Sequence, residues 1–164
     1  MPEAVRTVQN DISGEIYMTK DILVRVRGVQ TIGEEEDTVE MITPGTYYVK
    51  NGKQYLIYDE SLDETGTPTH NTVKVMENRI EVMKRGLVES HMIFEPGRRT
   101  TANYRTPMGL FLMGITTSLL EVEEEESILL RIKYSMEMNG EYAFDCSTEI
   151  LASSKKDEVL GISI

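Results

Sequence analysis

Two histidines, His70 and His91, and one cysteine, Cys146, are the first residues to test for chemistry. His91 alternates with Glu89 and Ile93, so a strand would place Glu89 and His91 on one face. A carboxylate beside an imidazole can move a proton. Such a pair is more often a surface contact between strands. His70 falls in a polar connection. No His-x-x-x-His or Cys-x-x-Cys spacing occurs, so no metal site is expected. The glycines lie in turns rather than in a phosphate loop, and no serine has a nucleophile-elbow context. Cys146 shares an alternating face with Tyr142 and Phe144, where a buried, inert thiol is expected. These residues name no cofactor and no catalytic set, and an enzyme ranks last among the functional readings.

Binding chemistry is better supplied. Arg85 closes a strand and shares its face with Glu81 and Met83. Arg105 shares its face with Asn103 and Thr101, and Tyr104 takes the opposite face. An arginine inside a barrel can hold a ligand carboxylate through two parallel hydrogen bonds. The plain alternative is pairing with a glutamate, or exposure to water. Arg85, Tyr104 and Arg105 are the ligand-binding candidates. Ten methionines against three phenylalanines suit an adaptable interior, or ordinary core filling.

The elements that position these residues read as strands. Ile22, Val24 and Val26 alternate with Leu23, Arg25 and Arg27, the pattern of a half-buried strand. Asn51-Gly52 and Asn139-Gly140 each sit between β-rich runs, and both central residues of such turns need positive φ. Residues 34–37 are too charged to bury and read as a loop or strand end. Pro44-Gly45 reads as a bend, Glu77-Asn78 as a turn. Ile128, Leu130, Ile132, Tyr134, Met136 and Met138 alternate with Arg131, Lys133, Ser135 and Glu137, the cleanest period of two in the chain. Tyr142, Phe144 and Cys146 should face the same way on the next strand. About ten short strands with close turns imply an antiparallel meander, and a meander this long best avoids open edges by closing. Residues 1–18 read as an arm or tail with room for a short helix, 19–152 as one barrel domain, and 153–164 as a tail.

The chain has 164 residues and a net charge of −11. That charge repels phosphate backbones, so no nucleic-acid partner is expected. With one cysteine there is no intrachain disulfide, which fits a reducing compartment. No apolar run approaches the roughly 20 residues of a membrane helix, and the first residues lack a signal-peptide core. The expectation is a cytoplasmic protein without a membrane partner.

The runs Gly45-Thr46-Tyr47-Tyr48-Val49-Lys50, Tyr55-Leu56-Ile57-Tyr58, Val82-Met83-Lys84-Arg85-Gly86, Tyr104-Arg105-Thr106-Pro107-Met108-Gly109 and Thr116-Thr117 come in an order and spacing that resembles the bacterial YwiB-like family. The resemblance covers roughly residues 20–151. It implies an all-β fold: an antiparallel meander closed into a calycin-like, lipocalin-type barrel of about eight to ten strands. It implies no activity, because the family has no established one. By analogy of fold, the barrel would hold a small amphipathic or apolar ligand. The second reading is a structural protein acting through its outer wall. Residues 108–115 carry no charge, and alternation sends Leu110 and Leu112 one way and Phe111, Met113 and Ile115 the other. One set must face outward, so Leu110, Phe111, Leu112 and Met113 are the interface candidates. A homodimer is the favoured cover, with the N-terminal arm as the alternative.

Overall fold

The structure is a computed structural model that describes residues 5–8, 17–61 and 66–154. Every regular element among them is a strand. They run β1 (Val5–Val8), β2 (Tyr17–Ile32), β3 (Glu35–Lys50), β4 (Lys53–Ser61), β5 (Pro68–Met76) and β6 (Arg79–Gly86). The remainder are β7 (Glu89–Phe94), β8 (Arg99–Thr106), β9 (Gly109–Glu124), β10 (Ile128–Met138) and β11 (Glu141–Ser154). Neighbours in sequence pair antiparallel from β2 to β11, and β11 pairs back onto β2. The meander therefore closes into a barrel of ten strands, with β1 added to the end of β2.

Turn chemistry fixes the hairpins. Asn51, Asn78 and Asn139 all have positive φ, as tight two-residue connections require. Along each strand one set of alternate residues fills the barrel. Ile22, Val24, Leu56, Val73, Ile80, Ile115, Leu130, Ile132 and Ile150 are almost wholly buried there. The outer wall carries charge instead, with Arg131 clamped between Glu123 and Glu149, and Arg99 bound through two nitrogens to Glu137. An apolar inside and a charged outside are the reverse of a membrane-spanning barrel.

Residues 34–37 are a strand end rather than a loop: Gly33 and Glu34 form the turn, and β3 begins at Glu35. Charged residues are tolerated because this end of the hairpin projects into water, exposed along residues 32–40. Pro44-Gly45, read as a bend, lies inside β3, which continues through both residues. Tyr142 does not join Phe144 and Cys146 inside. A register shift between Met136 and Glu137 inserts Ala143 and leaves Tyr142 exposed. The expected N-terminal arm is seen only at Val5–Val8, a strand rather than a helix, and in the start of β2; the rest of that arm and residues 155–164 lie outside the described residues.

Candidate functional site

The barrel wall is incomplete between β3 and β4. β3 pairs with β4 only from Gly45–Tyr58 to Lys50–Lys53. Proline at 44 has no N–H to continue the ladder. The hydroxyl of Thr43 donates to the Asp59 carbonyl at 3.3 Å and marks the end of the contact. Beyond it, a cavity of about 280 Å³ is lined by Val39 and Met41 on the unpaired part of β3, and on β4 by Tyr58 at the last rung and by Glu60 past it. Its deeper wall is mostly apolar: Val26, Val82, Met92, Phe94, Ile132 and Ile150. The Phe94 and Tyr134 rings meet there in a tilted contact at 4.8 Å between centroids.

Lys84 and Glu60 line the cavity along with Gln30 and Thr148, and with Asn71 they form a closed triangle. Lys84 Nζ donates to Glu60 Oε1 at 2.6 Å and to Asn71 Oδ1 at 2.8 Å. Asn71 Nδ2 donates to the same Glu60 Oε1 at 3.0 Å. The side chains of Lys84 and Glu60 are only 16% and 13% exposed. Two of the three ammonium hydrogens are used, and both bonds to the carboxylate go to one oxygen. The triangle can therefore still offer one donor and one acceptor. Ser90, opposite both Lys84 and Tyr104 in the ladders, has a buried hydroxyl with no partner among the described residues. Burial, with Glu60 nearby, pushes the phenols of Tyr58 and Tyr104 up. Burial does the same to Tyr134, helped by Cys146. All three stay neutral hydrogen-bonding groups at ordinary pH.

The sequence candidates are placed as follows. Tyr104 faces inward and packs on the core. Arg85 and Arg105 are exposed on the outer wall, opposite His70 and opposite Glu89 and Leu110 in the ladders, so neither is the interior cation. Lys84 holds that place. The signal for it was present: Ile80 and Val82 face inward, and alternation carries the next inward position to 84. The same parity carries Leu56 and Tyr58 to Glu60, and Val75 and Val73 to Asn71. Phe111 and Met113 face the interior with Ile115, whereas Leu110 and Leu112 are 59% and 50% exposed. Cys146 is buried. Among the described residues no cluster of His, Cys, Asp or Glu could hold a metal ion.

His91 does not meet Glu89. Its Nε2 lies 2.7 Å from Glu81 Oε1, and Arg79 binds the other carboxylate oxygen at 2.8 Å. Burial alone would raise the Glu81 carboxyl, but the His91 hydrogen bond and the Arg79 charge outweigh it and hold it below the usual range. A lowered carboxyl stabilises the fold above the ordinary carboxylate range, and that stability is lost as pH falls through the lowered value. His91→Ala should cost about 0.5–1 kcal/mol at neutral pH, modest because the ring is half exposed. Urea unfolding at pH 7 and at successive steps down through and below the carboxylate range checks this. The variant should converge on the parent at the acid end, and an undiminished gap there would remove Glu81 as the cause.

No helix among the described residues is long and apolar enough to cross a membrane. The comparisons agree with the barrel. The uncharacterized beta-barrel protein YwiB of Bacillus subtilis (strain 168) is 34% identical over 121 residues, which span 73% of this chain and 84% of that protein. The crystal structure of ywiB protein from Bacillus subtilis superposes with a TM-score of 0.75 at 26% identity, covering 83% of this chain and 92% of the other. Residues 24–150 match the domain of unknown function DUF1934, a span that runs from Val24 in the middle of β2 to Ile150 near the end of β11. Nearly the whole closed barrel is thus the matched unit, and the chain belongs to the DUF1934 family.

Proposed function

We propose that this protein is a non-enzymatic cytoplasmic binder that holds a small amphipathic molecule at the mouth of a lipocalin-type barrel. The observation that carries the reading is the Lys84–Glu60–Asn71 triangle set into the apolar wall of the 280 Å³ cavity. Charged groups held in apolar surroundings are costly unless paired, and here the pair is paired and keeps hydrogen-bonding capacity for a visitor. The volume is at the small end for ligand pockets, so the ligand is smaller than a typical drug. The two charges cancel. A ligand head with its own net charge would be buried uncompensated, whereas a neutral head with one donor and one acceptor, such as a primary amide, fits both open positions. Calorimetric titration with hexanamide, hexanoate and hexylamine tests this. Hexanamide should bind at least about tenfold tighter than either ion, which is roughly 1.4 kcal/mol. Equal affinity for all three would sink the head-group assignment, and no binding by any, with no copurified mass in native mass spectrometry, would sink the binder.

A second reading has its own observation. Leu110 and Leu112 stand 59% and 50% exposed on the outer wall, and Met108, 91% exposed, sits in the turn just before them. Each large apolar side chain left in water forgoes about 1.5–3 kcal/mol, and contiguous patches of this kind mark interfaces. On this reading the chain is a homodimer through β9. Sedimentation velocity at tens of micromolar should show a dimer that Leu110→Lys converts to monomer. A monomeric parent ends the idea.

A further inference from the structure

We propose that residues 35–44 of β3 form a docking edge for an extended basic peptide, which adds to the sheet as a strand. Three observations meet there. First, β3 pairs with β2 along residues 35–48, but with β4 only from Gly45 onward. Among the described residues, nothing pairs with the other side of residues 35–44. That leaves a row of backbone donors and acceptors about 30 Å long. Second, the edge is not simply blunted by charge, the usual protection of a bare strand. Val39 and Ile42 stand 70% and 57% exposed on its two faces, and Val39 with Met41 continues into the cavity wall. An incoming strand would set alternate side chains toward that wall, which is how strand addition gains specificity. Third, the charges name the partner. Glu35, Glu36, Asp37 and Glu40 lie on the edge, and Arg27 approaches Glu40 only at 3.8 Å. Across the gap Asp59 and Glu60 are already engaged, by His70 and Lys84, so the edge acids carry the attraction. A second copy of the chain fits poorly. Two-fold pairing of this edge about Thr38 would set Glu36 against Glu40, and each copy carries a net charge of −11.

This site borders the cavity and shares Val39, Met41 and Glu60 with it, but its ladder and charge stand if the cavity takes no amide. The probe is a fluorescein-labelled heptapeptide alternating lysine and valine, titrated by fluorescence polarisation. Hydrogen exchange of the backbone is followed in the free and bound protein. The peptide should bind in the micromolar range and slow exchange across residues 35–44. Glu36→Lys/Asp37→Lys should weaken it at least about tenfold, through two exposed residues that make no ion pair among the described residues. An analogue N-methylated at alternate residues should lose binding, because it cannot complete the ladder. Undiminished binding of that analogue would reduce the contact to charge alone and overturn the proposal. So would equal binding of a glutamate–valine peptide, or full exchange protection of residues 35–44 in the free protein, which would mean the edge is already covered by this chain.

Discussion

Replacing Lys84 by methionine should destabilise the protein by about 3–5 kcal/mol, read as a fall in the urea midpoint without a change in slope. Methionine matches the length of the lysine stem and keeps its packing against the wall. What it removes is the ammonium 2.6 Å from Glu60. The carboxylate is then left 13% exposed beside Tyr58 and the apolar lining, with Asn71 its one hydrogen-bond donor. Breaking a buried pair from one side is costly for that reason: the remaining charge stays out of water with nothing to compensate it.

The double variant Lys84→Met/Glu60→Gln separates the pair from its parts. It removes both charges and keeps the oxygen that Asn71 bonds. Its stability should return to within about 1 kcal/mol of the parent, since neutral replacements of buried pairs are often tolerated. If the double variant is as unstable as the single one, the lysine stem rather than the charge holds the wall. A restored fold that no longer distinguishes hexanamide from hexanoate would place the pair's value in recognition. A charge pair that adds little net stability yet sits on a cavity wall is most simply explained by what it presents to a visitor.

The closed barrel was legible because period two is visible wherever one face is wet. Ile22, Val24 and Val26, or Leu130 and Ile132, declare their face against charged neighbours, and the Asn-Gly turns fix which strands pair. The candidate site was legible in parity but not in residue type. Lys84, Glu60 and Asn71 lie on inward positions set by the apolar residues before them. Arginine's capacity for two parallel bonds drew attention to Arg85, one position off, and a shift of one in a strand reverses the face. The gap between β3 and β4 could not be read at all. It depends on where a ladder stops, and Pro44 permits that end without announcing which neighbour is lost. The exposed Tyr142 likewise follows from one inserted residue, Ala143, which no local pattern marks.

Gly45→Ala should cost about 3 kcal/mol, while Gly28→Ala should be neutral or stabilising by roughly 0.5 kcal/mol. Neither glycine has positive φ, so backbone conformation forbids neither change. The difference is room. A Cβ at Gly45 would lie 2.6 Å from the Ile57 carbonyl oxygen and 2.9 Å from Val24 Cγ2. The first is backbone of the paired strand β4, and the second belongs to a fully buried side chain, so neither can step aside. Gly45 stands opposite Ile22 on one side and Tyr58 on the other, at the last rung before the gap. Forcing β3 off β4 there would lengthen the opening as well as weaken the wall. Gly28 lines the cavity and a Cβ there would meet nothing within 4 Å, so alanine only reduces the freedom of the unfolded chain. Chemical denaturation of the two variants should therefore move the midpoint in opposite directions or leave Gly28→Ala unmoved. Equal, small effects would mean that β3 can slide along β4, and that the end of the gap is not pinned at Gly45.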